Sequence, residues 1–344
     1  MSTPTRRAFI QKSMAAAQGP MAAEKALLAP ELFASDPRAK AQQATSDSPF
    51  FEGFQREPIK TSGATINTVY GGKGSPVLLL HGIPQTHILW RKVAPVLAQD
   101  FFLVMTDLRG YGDSSKPPGG ENHAAYSRRV MGQDQVEVMR KLGCEKFAVV
   151  AHDRGARVAH RMALDYPDRL TKLSILDIVP TYTMYQNVNK QFATVFYHWF
   201  LLVQPPPFPE TLIANSDEYF LKSLLFRLAG EVPNDTIPTW IGEPAFAEYL
   251  RCFRDRDSIH AICEEYRATA SIDVLHDADQ SQKIQCPLLV LWAENGPFHR
   301  MYNVLETWRE RAVTASGKAL PTGHFLPEQA PQELLAEIKP FLSA

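Results

Sequence analysis

The reading turns on Phe147-Ala148-Val149-Val150-Ala151-His152-Asp153-Arg154-Gly155-Ala156-Arg157. Residues 147–151 form an unbroken apolar run, as a strand buried on both faces requires, and a helix is expected after it. At the junction, Ala151-His152-Asp153-Arg154-Gly155 has the small-x-nucleophile-x-small form of a sharp strand-to-helix turn. Small flanking residues are needed there because the helix packs close against the turn. The exposed position of that turn carries Asp rather than Ser. An Asp after a strand also serves simply as a helix cap, so the turn needs independent support.

Support comes from both sides. Residues 76–80 read as a buried strand running into His81-Gly82-Ile83-Pro84, where an oxyanion loop belongs. Gly323-His324-Phe325 lies near the carboxyl terminus, and an acid, Asp177, follows a strand at 173–176. The order nucleophile, acid, histidine is that of the α/β-hydrolase fold. Further strands are expected at 65–70, 101–106 and 288–292, with a helix at 126–142. Short apolar strands alternating with helices predict an α/β fold, a mostly parallel sheet with helices on both faces and functional residues at strand carboxyl ends. Residues 181–283 are rich in aromatics and helical periodicity but poor in strand signals, so they read as an inserted helical cap, broken by Pro205-Pro206-Pro207. The core is then 49–180 with 284–344, and 1–48 is leader and linker.

Chemistry explains a carboxylate at the turn. Displacement at an sp3 carbon leaves that carbon bonded to the enzyme; a serine would form an ether that activated water cannot cleave, whereas Asp153 forms an ester. Water activated by His324 can then add to the Asp153 carboxyl carbon and regenerate it. Backbone N–H groups of Ile83 and Arg154 are candidates to hold the oxyanion. Asp177 or Glu294, which follows the 288–292 strand, can orient His324. A loop or cap role is the plain alternative for either acid. His152 is expected to shape the turn, and His87 and His160 to be structural or exposed.

Lys and Arg total 36 against 37 Asp and Glu, so no global field favours nucleic acid or an anionic membrane. Any anion recognition must be local. Arg154 and Arg157 stand one helical turn apart and can point at one anion, for which planar guanidinium forks suit a carboxylate. Two arginines on a helix are also ordinary surface charges, although cations are disfavoured at a helix amino terminus. The four cysteines lack metal-ligand spacing and read as buried thiols; no metal or organic cofactor is implied. No apolar run approaches the roughly 20 residues of a membrane span. Arg6-Arg7 within Thr5-Arg6-Arg7-Ala8-Phe9 resembles a twin-arginine export signal, but Gly19-Pro20 interrupts the stretch behind it. Periplasmic export and a disordered leader retained in the cytoplasm are both left open.

The chain resembles the fluoroacetate (haloacetate) dehalogenase family from about Phe50 onward. The resemblance rests on His81-Gly82-Ile83-Pro84-Gln85-Thr86, Asp107-Leu108-Arg109-Gly110-Tyr111-Gly112, His152-Asp153-Arg154-Gly155-Ala156-Arg157, Leu176-Asp177-Ile178-Val179-Pro180-Thr181-Tyr182, Tyr197-His198-Trp199, Cys263-Glu264-Glu265-Tyr266-Arg267-Ala268 and Gly323-His324-Phe325-Leu326-Pro327. It implies Asp153 as nucleophile, Asp177 rather than Glu294 with His324 as the acid and base, and Arg154 and Arg157 as carboxylate clamps. It further implies His198, Trp199 and Tyr266 as halide donors, a small 2-haloacid as substrate, and a homodimer. Their imidazole, indole and phenol donors suit a leaving fluoride. An epoxide hydrolase, with Tyr182, Tyr185, Tyr197 or Tyr266 protonating the epoxide, is the nearest rival; a non-catalytic receptor on the same scaffold is the other.

Overall fold

The computed structural model describes residues 50–231, 236–279 and 281–344. The leader, with Arg6 and Arg7, lies outside the described residues. An eight-stranded sheet runs in the order β1-β2-β4-β3-β5-β6-β7-β8. β1 (Gln55–Lys60) and β2 (Thr65–Gly72) pair antiparallel, as do β2 and β4 (Phe101–Thr106). The rest pair parallel: β3 (Ser75–Leu80), β4, β5 (Phe147–His152), β6 (Leu170–Leu176), β7 (Leu288–Ala293) and β8 (Ala315–Leu320). β4 and β5 are buried at every position, which explains why they carry unbroken apolar runs rather than alternation.

The two edge strands are the ones the apolar pattern misses. β1 is QREPIK, mostly exposed, and tolerates Pro58 because an edge strand need not donate on both sides. β8, ASGKAL, is only partly buried. After β4 comes helix α1 (Arg128–Lys141), capped by the Ser127 side chain, which accepts from the Val130 N–H. Helix α2 (Asp153–Asp165) follows β5 directly. Between β6 and β7 the described residues are helical, from Thr181–Gln186 to Val274–Ala278. Two of these helices matter most below, α3 (Tyr197–Leu202) and α4 (Arg256–Ala268), the latter running into a π-helical turn, Thr269–Asp273. Pro205-Pro206-Pro207 separates α3 from the next helix, Phe208–Ala214. Among the described residues no helix is long and apolar enough to cross a membrane. The four cysteines are buried.

Two glycines make the β5–α2 junction possible. A Cβ on Gly155 would lie 2.4 Å from the His81 carbonyl oxygen, and one on Gly82 would lie 2.4 Å from the Asp153 Cβ. The Gly155 N–H donates to the His81 carbonyl at 2.9 Å, tying the junction to the loop after β3. Gly155→Ala gains helix propensity of about 1 kcal/mol but must push a backbone carbonyl, at about 1–3 kcal/mol. We expect a net lower denaturation midpoint in urea with unchanged m-value; an equal or higher midpoint would contradict the close packing.

Candidate active site

Asp153 sits at the carboxyl end of β5 with φ of 46°, the left-handed region that few non-glycine residues occupy. That geometry presents its carboxylate to two partners. The Ile83 N–H donates to Oδ1 at 3.0 Å, and His324 Nε2 lies 3.8 Å from Oδ2. Arg154, the other expected oxyanion donor, follows Asp153 directly in α2. The His324 Nδ1–H donates to Asp177 Oδ2 at 2.6 Å. Asp177 also has positive φ, 51°, at the end of β6, and the Ala293 N–H donates to its Oδ1 at 2.9 Å. One carboxylate oxygen of Asp177 thus holds His324 while the other is anchored by the Ala293 backbone. Glu294 is exposed, and its backbone N–H pairs with the Leu320 carbonyl.

Electrostatics follow from this packing. Burial alone pushes the Asp153 carboxyl up, but His324, His152, Arg154 and Arg157 outweigh it and leave it below its ordinary value. Burial works against the His324 imidazolium, yet Asp177 and Asp153 together raise it above its ordinary value. His152 lies behind, its Nε2 donating to the His324 carbonyl at 2.9 Å, with burial driving its pKa to about 3. His87 is bonded to Asp107 at 2.8 Å, and His160 stands against Asp277 and Trp308.

Arg154 and Arg157 are both fully buried beside Asp153, over the same Trp199 ring at 5.5 and 4.8 Å. Arg157 donates to the Val179 carbonyl and Thr181 Oγ1, both at 3.0 Å, and to Met184 Sδ at 2.9 Å. Among the described residues none of its hydrogen-bond partners is a carboxylate, and its Nε has no partner. Burial, with Arg128 and Arg154 nearby, lowers its pKa to about 9. Arg154 Nη1 is likewise unpartnered. Two guanidinium groups therefore each leave one buried donor unused.

From the helical segment, His198, Trp199 and Tyr266 meet edge to face. The Tyr266 ring lies 6.0 Å from His198 and 5.8 Å from Trp199, and its buried hydroxyl has no partner. Burial takes His198 down to about 3, leaving it neutral, and holds Tyr266 protonated well above its ordinary value. Among the described residues no cluster suits a metal. The site is a buried acid at a strained turn, a histidine with its own acid, and unpaired cationic and neutral donors around them.

Residues 75–331 match the family model of the α/β hydrolase fold. The chain belongs to the α/β hydrolases. It is 41% identical over 294 residues to a fluoroacetate dehalogenase of Burkholderia sp., covering 85% of this chain and 95% of the relative. A soluble epoxide hydrolase of Corynebacterium sp. (strain C12) is 32% identical over 273 residues, covering 79% and 91%. A crystal structure from Nostoc sp. PCC 7120, provisionally described as an α/β hydrolase, superposes with a TM-score of 0.81 at 54% identity, covering 84% of this chain and 98% of that one. The chain is thus an α/β hydrolase related to fluoroacetate dehalogenase, as its motifs suggested.

Sequence reasoning gave no role to several residues that this α/β hydrolase brings to the site. Glu265 and Thr269 bind Arg154, and Arg128 reaches Thr269 from α1. The Tyr302 phenol is also buried without a partner, as is that of Tyr185, which the sequence named only for the epoxide reading. Because the Asp153 charge helps raise His324, Asp153→Asn should lower the His324 titration midpoint measured by imidazole NMR; a midpoint identical to wild type would count against the coupling.

Proposed function

We propose that this α/β hydrolase is a dehalogenase of small 2-haloacids, fluoroacetate among them, working through an ester on Asp153 beneath a helical cap of residues 181–283. What carries the reading is Arg157, a buried cation that among the described residues bonds to no carboxylate and has only the nucleophile Asp153 acting on it as a nearby acid. An isolated buried charge is costly, and an anionic substrate supplies the balance. Each oxygen of the acid would take one of the unused donors, Arg154 Nη1 and Arg157 Nε.

Asp153 Oδ1 is held by Ile83, so Oδ2 is the attacking oxygen. It forms a bond to C2 of the acid as the C–F bond breaks, and fluoride leaves with the bonding pair toward Tyr266, His198 and Trp199. Neutral donors gain strength as charge develops on the halide, which is where transition-state stabilisation is needed. Alkylation removes the Asp153 charge, so His324 loses one of the charges that raise it and becomes a freer base. It takes a proton from water; the hydroxide adds to the Asp153 carboxyl carbon, with the Ile83 N–H on the oxyanion. The tetrahedral centre expels the hydroxyacid alkoxide, which His324 protonates. The product therefore keeps an oxygen that belonged to Asp153.

An epoxide hydrolase is the second reading, favoured by the Corynebacterium relative and by the unpartnered Tyr185 and Tyr266 hydroxyls. Tyr197 is engaged with Ser223 at 3.4 Å and is less suited. A neutral epoxide would leave Arg157 unbalanced. A fluoride electrode decides between them: release from fluoroacetate with no turnover of styrene oxide is expected, and the reverse pattern would overturn the proposal. His324→Ala should cut turnover by about 10²–10⁴-fold and accumulate an adduct on Asp153 by intact mass. Arg157→Met should raise KM for the acid by about tenfold or more. In labelled water under single turnover, the heavy oxygen should appear in the protein and not in the hydroxyacid.

A further inference from the structure

Arg154 and Arg157 are not equivalent. Arg154 Nε donates to Glu265 Oε1 at 2.7 Å, with both side chains fully buried. Its Nη2 donates to Thr269 Oγ1 at 2.5 Å, and the Tyr266 ring lies 4.1 Å from its Cζ. Glu265 is itself fixed, since its other oxygen accepts from the Tyr111 hydroxyl at 2.5 Å. Tyr111 in turn meets His81, at the head of the Ile83 loop, edge to face at 5.3 Å. Thr269 is the first residue of the π-helical turn, and its hydroxyl also accepts from Arg128 Nη2 at 2.9 Å. One face of the guanidinium and two of its nitrogens are therefore committed, and only Nη1 is left unpartnered.

We propose that Glu265 is a positioning residue that locks the Arg154 guanidinium with Nη1 toward the bound acid. The inference rests on the dehalogenase reading for its ligand, a small carboxylate, but not on turnover. The planar guanidinium is strongly oriented because its charge-assisted bond to Glu265 and its second bond to Thr269 fix two of its nitrogens. Truncating Glu265 frees Arg154 to rotate, whereas glutamine keeps an acceptor for Nε and a donor for Tyr111 and so holds the guanidinium in place.

Binding of glycolate and of its neutral counterpart glycolamide to the full chain, by ligand-observed NMR, separates positioning from general damage. Glu265→Ala should weaken glycolate by about tenfold or more while glycolamide changes by less than about twofold. Glu265→Gln should restore glycolate to within about threefold of wild type. Equal losses for both ligands, no loss of glycolate, or a glutamine variant as weak as alanine would each overturn the assignment. Should the alanine variant fail to fold, Glu265→Asp reads the same question: it keeps the charge but draws the carboxylate back from Nε, and must weaken glycolate selectively. Wild-type glycolate binding without halide release from any 2-haloacid would sink the dehalogenase reading and leave Glu265 testable; no glycolate binding at all would sink both.

Discussion

Buried positive charge is the constraint around which the centre of this molecule is arranged. Arg128, Arg154 and Arg157 are each no more than 4% exposed, and a buried ion costs several kcal/mol unless it is partnered. The chain answers with its own carboxylates twice. Glu265 pairs with Arg154, and Asp273, whose carboxyl burial pushes up to about 6, stands beside Arg128 and accepts from its backbone N–H at 3.0 Å. For Arg157 it offers a carbonyl, a hydroxyl and a sulfur. With His324 and His152, the positive potential of Arg154 and Arg157 holds the Asp153 carboxyl below its ordinary value in a place where burial alone would raise it. On the proposed reading, a carboxylate ready to attack and a place for one anionic ligand are two consequences of the same arrangement.

The sheet and the helical segment contribute different parts. Strand ends supply the groups that must be rigid: Asp153 and Asp177 at positive φ after β5 and β6, and Ile83 after β3. Such backbone strain persists only when the surrounding structure fixes it. The sheet does so through the Gly155 bond to His81 and the Asp177 N–H bond to the Leu291 carbonyl at 2.8 Å. The helices of 181–278 supply the neutral donors and the carboxylates that sort the arginines. On the proposed reading, bond making belongs to the first layer, while choice of ligand and leaving group belongs to the second.

Much of this was legible because the informative residues are local. The β5–α2 turn, the His81-Gly82-Ile83-Pro84 loop and Gly323-His324-Phe325 each announce themselves within a few residues, and buried parallel strands show as apolar runs. What escaped was of two kinds. β1 and β8 are edge strands whose exposed faces erase the apolar signal, so QREPIK and ASGKAL read as loop. Glu265 escaped because its meaning lies 111 residues away, in a single bond to Arg154. A glutamate on a helix reads as a solvated charge until its partner is known. The same holds for Arg128 and for the choice between Asp177 and Glu294, which spacing left open and only the family resemblance turned to Asp177: both acids follow strands, but one is buried against His324 and the other faces solvent.

Overall similarity does not choose between dehalogenase and epoxide hydrolase, since relatives of both kinds align along most of this chain. Both chemistries can use an acid at the turn, a histidine and phenols, so none of these groups discriminates. Net charge does. On the proposed reading, a neutral epoxide would leave the spare donors of Arg154 and Arg157 without a charged partner, while a carboxylate trades its own hydration for two charge-assisted bonds. At close range inside a protein, where attraction between opposite charges is worth several times its value in water, that difference exceeds what a rearranged hydroxyl or a slightly larger pocket can return. On the proposed reading, selection between the two substrates rests on an arginine that bonds to no carboxylate among the described residues, and on the glutamate that holds its neighbour in place.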